Sequence, residues 1–160
     1  RMPFYLPKKC RPFFKQIFDA RNQNGTKIKL YFDEYYFCLM AGLAAEKYDE
    51  EAELEMSEIT DRYPAEYLDS REYIAGLLFA TEQHRRGIPE SDGVALEKLM
   101  TEYIDPTSKT YLNLKGENRL NQYAARGMEI MLDVMNPPVR LDEFLLEYLE
   151  CFREGRFLKG

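Results

Sequence analysis

The sequence predicts an all-α protein, a compact orthogonal bundle of five to six helices behind a basic, proline-containing N-terminal arm. Three observations carry that reading. Apolar residues recur at helical spacing in successive segments, breaker residues separate the segments, and a single stretch alternates like a strand. With 160 residues, of which 45% are hydrophobic and 14% aromatic, the chain has the size of one domain and enough apolar surface for a core. Residues 1–160 are therefore expected to form a single helical domain.

Residues 1–9 contain Pro3 and Pro7 and are expected to be an extended arm. Pro12 suits a first helical turn, and Phe13, Phe14, Ile17 and Phe18 share one face of a short helix that should end near Asn22–Gly25. Thr26–Phe32 is the one strand candidate, read as an extended lead into the next helix. Asp33 is then an N-cap or first-turn acid for a helix in which Tyr36 to Leu43 leave almost no polar face. A helix apolar all round is buried by its neighbours or by another subunit. The small residues Ala41, Gly42, Ala44 and Ala45 let a second helix approach closely, so this helix is the expected centre of the fold. Tyr36, Phe37 and Met40 are candidates for a partner or oligomer interface.

Residues 46–63 read as an acidic solvated helix or loop, closed by Pro64. Leu68, Ile74, Leu77 and Leu78 give a long helix from Ala65 to Arg86, ended by Gly87 and Pro89. Ser91 or Asp92 caps a helix with the stripe Leu96, Leu99, Met100, Tyr103 and Ile104, stopped by Asp105-Pro106. Leu120, Tyr123, Ala124, Met128, Met131, Leu132 and Met135 mark a fifth helix, broken by Pro137-Pro138. Asp142 caps a sixth in which Phe144, Leu145, Tyr148, Leu149 and Phe152 are expected to pack inward, with Gly155 beyond its end. The triplet Ala41-Gly42-Leu43 recurs as Ala75-Gly76-Leu77, but no third copy follows, so it reads as chance reuse of a packing triplet rather than a repeat array.

Charge is unevenly distributed. Residues 1–31 carry eight basic groups against the single acid Asp19, whereas the whole chain has net charge −6. Residues 46–61 hold eight carboxylates against Lys47, and Glu50, Glu51, Glu53, Glu55 and Glu58 are their candidate acidic surface. Two arrangements fit. The basic segment lies across the acidic one, in its own chain or a sister subunit, or it stands apart as a patch for nucleic acid or an acidic partner. The candidate contacts for that patch are Lys8, Lys9, Arg11, Lys15, Arg21, Lys27 and Lys29, with aromatic residues interleaved.

Catalytic constellations are not visible. The single histidine, His84, has no local nucleophile or metal-ligand partner and reads as a polar residue near a basic helix end. The three cysteines, Cys10, Cys38 and Cys151, show no Cys-x-x-Cys spacing. Cys38 and Cys151 look like packing residues, and Cys10 sits in a basic setting that should favour its thiolate. Glu143, Glu147 and Glu150 share a helix face without the histidines a di-metal bundle needs. Phosphate-binding glycine loops and calcium-loop spacing are also missing. No metal, no small-molecule cofactor and no membrane partner are expected, and the odd cysteine count points to the reducing cytoplasm.

The composition thus predicts a non-catalytic adaptor or accessory subunit of a multiprotein assembly, with a protein partner or homo-oligomer. An accessory subunit of a microbial DNA-modification or defence system would fit. A nucleic-acid-binding protein using the basic segment is the alternative, and a cryptic enzyme using His84 is a third reading.

Overall fold

The computed structural model describes residues 3–18, 30–60 and 62–159. Its elements in chain order are β1 (Phe4–Pro7), α1 (Cys10–Phe18), α2 (Tyr31–Ala45), β2 (Leu54–Thr60), α3 (Arg71–Arg85), α4 (Gly93–Tyr103), α5 (Leu114–Val134) and α6 (Leu141–Arg153). Short 3-10 turns, Ala65–Ser70 and Arg156–Lys159, precede α3 and follow α6. The architecture is a helical bundle with a small two-stranded antiparallel sheet.

The sheet refines one expectation, the extended N-terminal arm, and corrects another. The N-terminal arm is a strand over Phe4–Pro7, and Leu54–Thr60, inside the segment expected to be helix or loop, pairs with it in the register Phe4↔Thr60, Tyr5↔Glu58 and Pro7↔Leu54. Phe4 and Leu6 are fully buried, while β2 lies outside with no buried residue. Asn121 of α5 fastens the inner strand: its Nδ2 donates to the Pro3 carbonyl at 2.8 Å and its Oδ1 accepts from the Tyr35 hydroxyl at 2.8 Å. Pro7 has no N–H to offer, and the ladder resumes where Lys8 N–H donates to the Glu53 carbonyl at 3.0 Å.

The bundle is centred on α2, as its composition predicts. Its N-cap is Leu30, so of the two places expected for Asp33 the first-turn one holds. Asp33 sits in the first turn, where its carboxylate accepts the Leu30 N–H at 3.1 Å. The expected helix end at Asn22–Gly25, and residues 26–29 of the strand candidate, lie outside the described residues. The end of that candidate, Tyr31 and Phe32, is helix.

Small residues bring α2 against α5. A Cβ on Gly42 would stand 2.0 Å from the Tyr123 carbonyl oxygen, and one on Gly127 would stand 1.7 Å from that of Cys38. Each helix thus needs glycine at the crossing. Gly76 of the echoed triplet has nothing within 4 Å of its Cβ position, so the two triplets share no packing role.

Around this pair, α3 buries Ile74, Ala75 and Leu78, α4 buries Leu99 and Tyr103, and α5 buries Leu120, Tyr123, Met128 and Met131. Asp92 caps α4 by accepting the Ala95 N–H at 3.1 Å, and Asn113 caps α5 by accepting that of Gly116 at 2.9 Å. The expected helix from Ala65 divides into the 3-10 turn and α3. For α6 the N-cap is Arg140, with Asp142 in the first turn. The inward set of α6 is also corrected. Phe144, Tyr148 and Cys151 are buried, while Leu145, Leu149 and Phe152 are exposed.

Candidate functional site

The charged segments meet within the chain. Arg11 pairs with Glu55 of β2 at 2.7 Å and lies over the Tyr31 ring at 4.0 Å, while Lys9 pairs with Glu129 of α5 at 3.2 Å. Lys8 and Lys15 are exposed. Arg21, Lys27 and Lys29 lie outside the described residues. Glu50, Glu51 and Glu53 are exposed, and Glu55 and Glu58 are half-buried on β2. The pairing of β1 with β2 thus sets part of the basic segment against the acidic one.

The expected interface residues of α2 make intramolecular contacts. Phe37 meets Phe144 and Tyr148 edge-on, each at 5.0 Å, Tyr36 meets Tyr67 at 5.4 Å, and Met40 packs on the core. His84 Nδ1 stands 2.7 Å from a Glu46 carboxylate oxygen. Glu46 closes α2 in the left-handed conformation, φ 55°, so this exposed pair ties the ends of α2 and α3 together.

A buried polar cluster that sequence reading missed joins α3, α4 and α5. The fully buried Glu82 carboxylate accepts from Arg85 at 2.6 Å, Arg119 at 2.5 Å and the Tyr103 hydroxyl at 3.0 Å. Arg119 also covers the Tyr48 ring at 3.8 Å. At its edge Glu102 accepts from Arg86 at 2.8 Å and from Lys115. The Arg86 hydrogen bond, reinforced by Lys115, holds the Glu102 carboxyl down to about 2. Glu82 accepts from two guanidiniums and a hydroxyl, with the Arg86 guanidinium 3.9 Å away, and so clamps three helices together.

Glu34, on α2, is different. It is buried and its Oε1 has no hydrogen-bond partner. Desolvation pushes its carboxyl up to about 8, against the attraction of Arg11 and with the repulsion of Glu55 and Asp33. Cys10 is buried as well, and burial together with Cys38 raises its thiol well above the usual value. The thiolate expected from its basic sequence neighbours is therefore not favoured.

The outer face of α6 carries the largest local concentration of exposed apolar side chains described. Leu145, Leu146, Leu149 and Phe152 are 38%, 66%, 57% and 39% exposed, and Leu158 lies just beyond the helix. Asp142, Leu146, Leu149 and Arg153 follow one another at spacings of four, three and four residues, which aligns them in a ridge along one face. The opposite face, Phe144, Tyr148 and Cys151, is in the core, where the Tyr148 hydroxyl donates to the Phe37 carbonyl at 2.7 Å. Thus α6 is apolar on both faces. The second face was visible in the sequence only as extra leucines in an inward stripe.

Among the described residues no group of three or more His, Cys, Asp or Glu side chains is arranged to hold a metal ion, and no helix is long and apolar enough to cross a membrane. Comparison with family models, with characterised proteins and with solved structures finds no match to this chain.

Proposed function

We propose that this chain is a non-catalytic accessory or adaptor subunit that assembles through the outer face of α6, and that it works in the reducing cytoplasm, which its free cysteines suit. The observation that carries the reading is the exposed ridge Asp142, Leu146, Leu149 and Arg153. Leucines this exposed and this closely grouped on one helix favour a partner over water.

The ridge is also self-complementary. Its spacing reads the same in both directions, with leucines in the middle, an acid at one end and a base at the other. Two copies of α6 laid antiparallel about a two-fold axis bring Leu146 opposite Leu149 of the partner copy and Asp142 opposite its Arg153, twice over. That is the requirement of an isologous contact. The favoured occupant of the face is therefore a second copy of this chain.

Subunit mass in solution tests this. The wild-type chain should sediment as a dimer, and Leu146→Asp with Leu149→Asp should give a monomer with an unchanged circular dichroism spectrum. Reversing Asp142→Arg alone should weaken the dimer, and adding Arg153→Asp should restore it. A wild-type monomer at every concentration would remove the self-association, and a dimer indifferent to all of these changes would remove α6 as its seat.

A further inference from the structure

Three sulfur atoms from three distant parts of the chain converge in the core. Cys10 Sγ at the start of α1 and Cys38 Sγ in the middle of α2 lie 3.3 Å apart. Met128 Sδ of α5 lies 3.4 Å from the first and 3.6 Å from the second. Both cysteines are free and fully buried, and Met128 is nearly so. Sulfur is the softest and most polarisable donor among the side chains, and three of the chain's ten sulfurs meet at this one point. A disulfide would use two of them and leave the third unexplained.

From this geometry we propose that Cys10, Cys38 and Met128 form a trigonal all-sulfur site for a soft monovalent metal ion, Cu(I). Two thiolates and a thioether are the donor set that selects Cu(I). Zinc wants four ligands and takes nitrogen, oxygen or thiolate rather than thioether, and no third His, Cys, Asp or Glu ligand joins the pair among the described residues. A metal–sulfur bond of about 2.3 Å requires each sulfur to move outward by only a few tenths of an ångström. The ion enters as both thiols give up their protons, so Cu(I) and two S–H groups become a bound complex of charge −1 and two released protons. Cys10 is the first residue of the nine-residue helix α1, whose positive end offsets part of the cost of burying that anionic complex.

The site lies beneath a cleft, although neither cysteine lines it. This cleft, of roughly 340 Å³ between the β1–α1 junction and α5, has Met128 in its wall. Its rim carries Asp49, Glu51, Glu53 and Glu129 against Lys8 and Lys9, an excess of negative charge that attracts a cation. Met128 thus borders both the cleft and the sulfur cluster. This inference is independent of the α6 reading, since the two share no residue.

The test is an anaerobic competition of the reduced chain against the Cu(I) complex of bicinchoninate. The wild type should withdraw one equivalent of the metal, and copper K-edge absorption of the product should report three sulfur neighbours and no nitrogen or oxygen. Met128→Leu, which keeps the side-chain volume, should weaken binding by at least about tenfold without changing the fold. Cys10→Ser combined with Cys38→Ser should abolish binding, and Cys151→Ser should leave it unchanged. The proposal is overturned if the chelator keeps its copper, if Met128→Leu binds as tightly as wild type, or if the metal has ligands other than sulfur.

Discussion

Gly127 and Gly42 set how closely the two central helices approach, because each Cβ position is occupied by a backbone carbonyl of the other helix. A backbone obstacle cannot turn aside as a side chain can. Gly127→Ala should therefore cost about 3 kcal/mol, at the upper end of overpacking penalties, read as a shift in urea midpoint. Gly76→Ala meets nothing within 4 Å and should instead stabilise by about 0.5–1 kcal/mol through helix propensity. Equal effects at the two positions would refute the close crossing. Glu82 supplies the second prediction at this scale. Glu82→Gln removes the negative charge buried between Arg85 and Arg119, and should cost about 3 kcal/mol in the same assay. A loss below about 1 kcal/mol would mean that both guanidiniums turn to water without penalty. The Gly42 contact was legible in advance because it sits among alanines in an apolar run. Gly127 and Glu82 were not, since Gly127 sits in a mixed polar and apolar stretch, Glu82 stands among polar neighbours, and each acquires its role from a distant element.

Helix α6 shows what periodicity leaves open at the scale of an element. Phe144, Leu145, Leu146, Tyr148, Leu149, Cys151 and Phe152 cover more than half of its circumference, so spacing alone does not say which part meets the core. The structure buries the side centred on Phe144, Tyr148 and Cys151. That choice follows from Phe14, Phe37 and Phe157, whose rings meet Phe144 or Tyr148 at 5.0–5.4 Å. Leu146→Asp with Leu149→Asp should therefore change folding stability by no more than about 0.5 kcal/mol per site while abolishing self-association. A collapse of the fold would place those leucines in the core instead. The acidic segment failed to read as a strand for a related reason. Leu54–Thr60 has no buried residue, its apolar alternation stops after Leu54 and Met56 at Glu58-Ile59, and what fixes it is the ladder to Phe4–Pro7. A strand defined by its partner leaves little trace in its own residues.

At the scale of the whole molecule, two carboxyls pull the pH dependence of stability in opposite directions. Glu102 is held down to about 2 by Arg86 and Lys115. The stabilisation it provides is complete above its unfolded value of 4.5 and is lost as pH falls toward 2. Glu34 has the reverse sign. Its folded value is raised from 4.5 to about 8, so between those values the folded chain holds a proton that the unfolded chain has released. Stability therefore falls as pH rises across that window, by at most about 1.4 kcal/mol per pH unit, and levels off above it. Arg11 opposes this and limits the fall, while Glu55 and Asp33 add to it. The sum of the two effects is a stability maximum near pH 5, which urea unfolding between pH 3 and 9 would reveal. Glu34→Gln carries no charge to bury. It should abolish the decline above pH 5 and make the variant more stable than wild type at pH 8, with the acid limb due to Glu102 unchanged. Parallel curves for the two proteins across pH 5–8 would mean that the Glu34 carboxyl is solvated in the folded chain and ionises there as it does in the unfolded one.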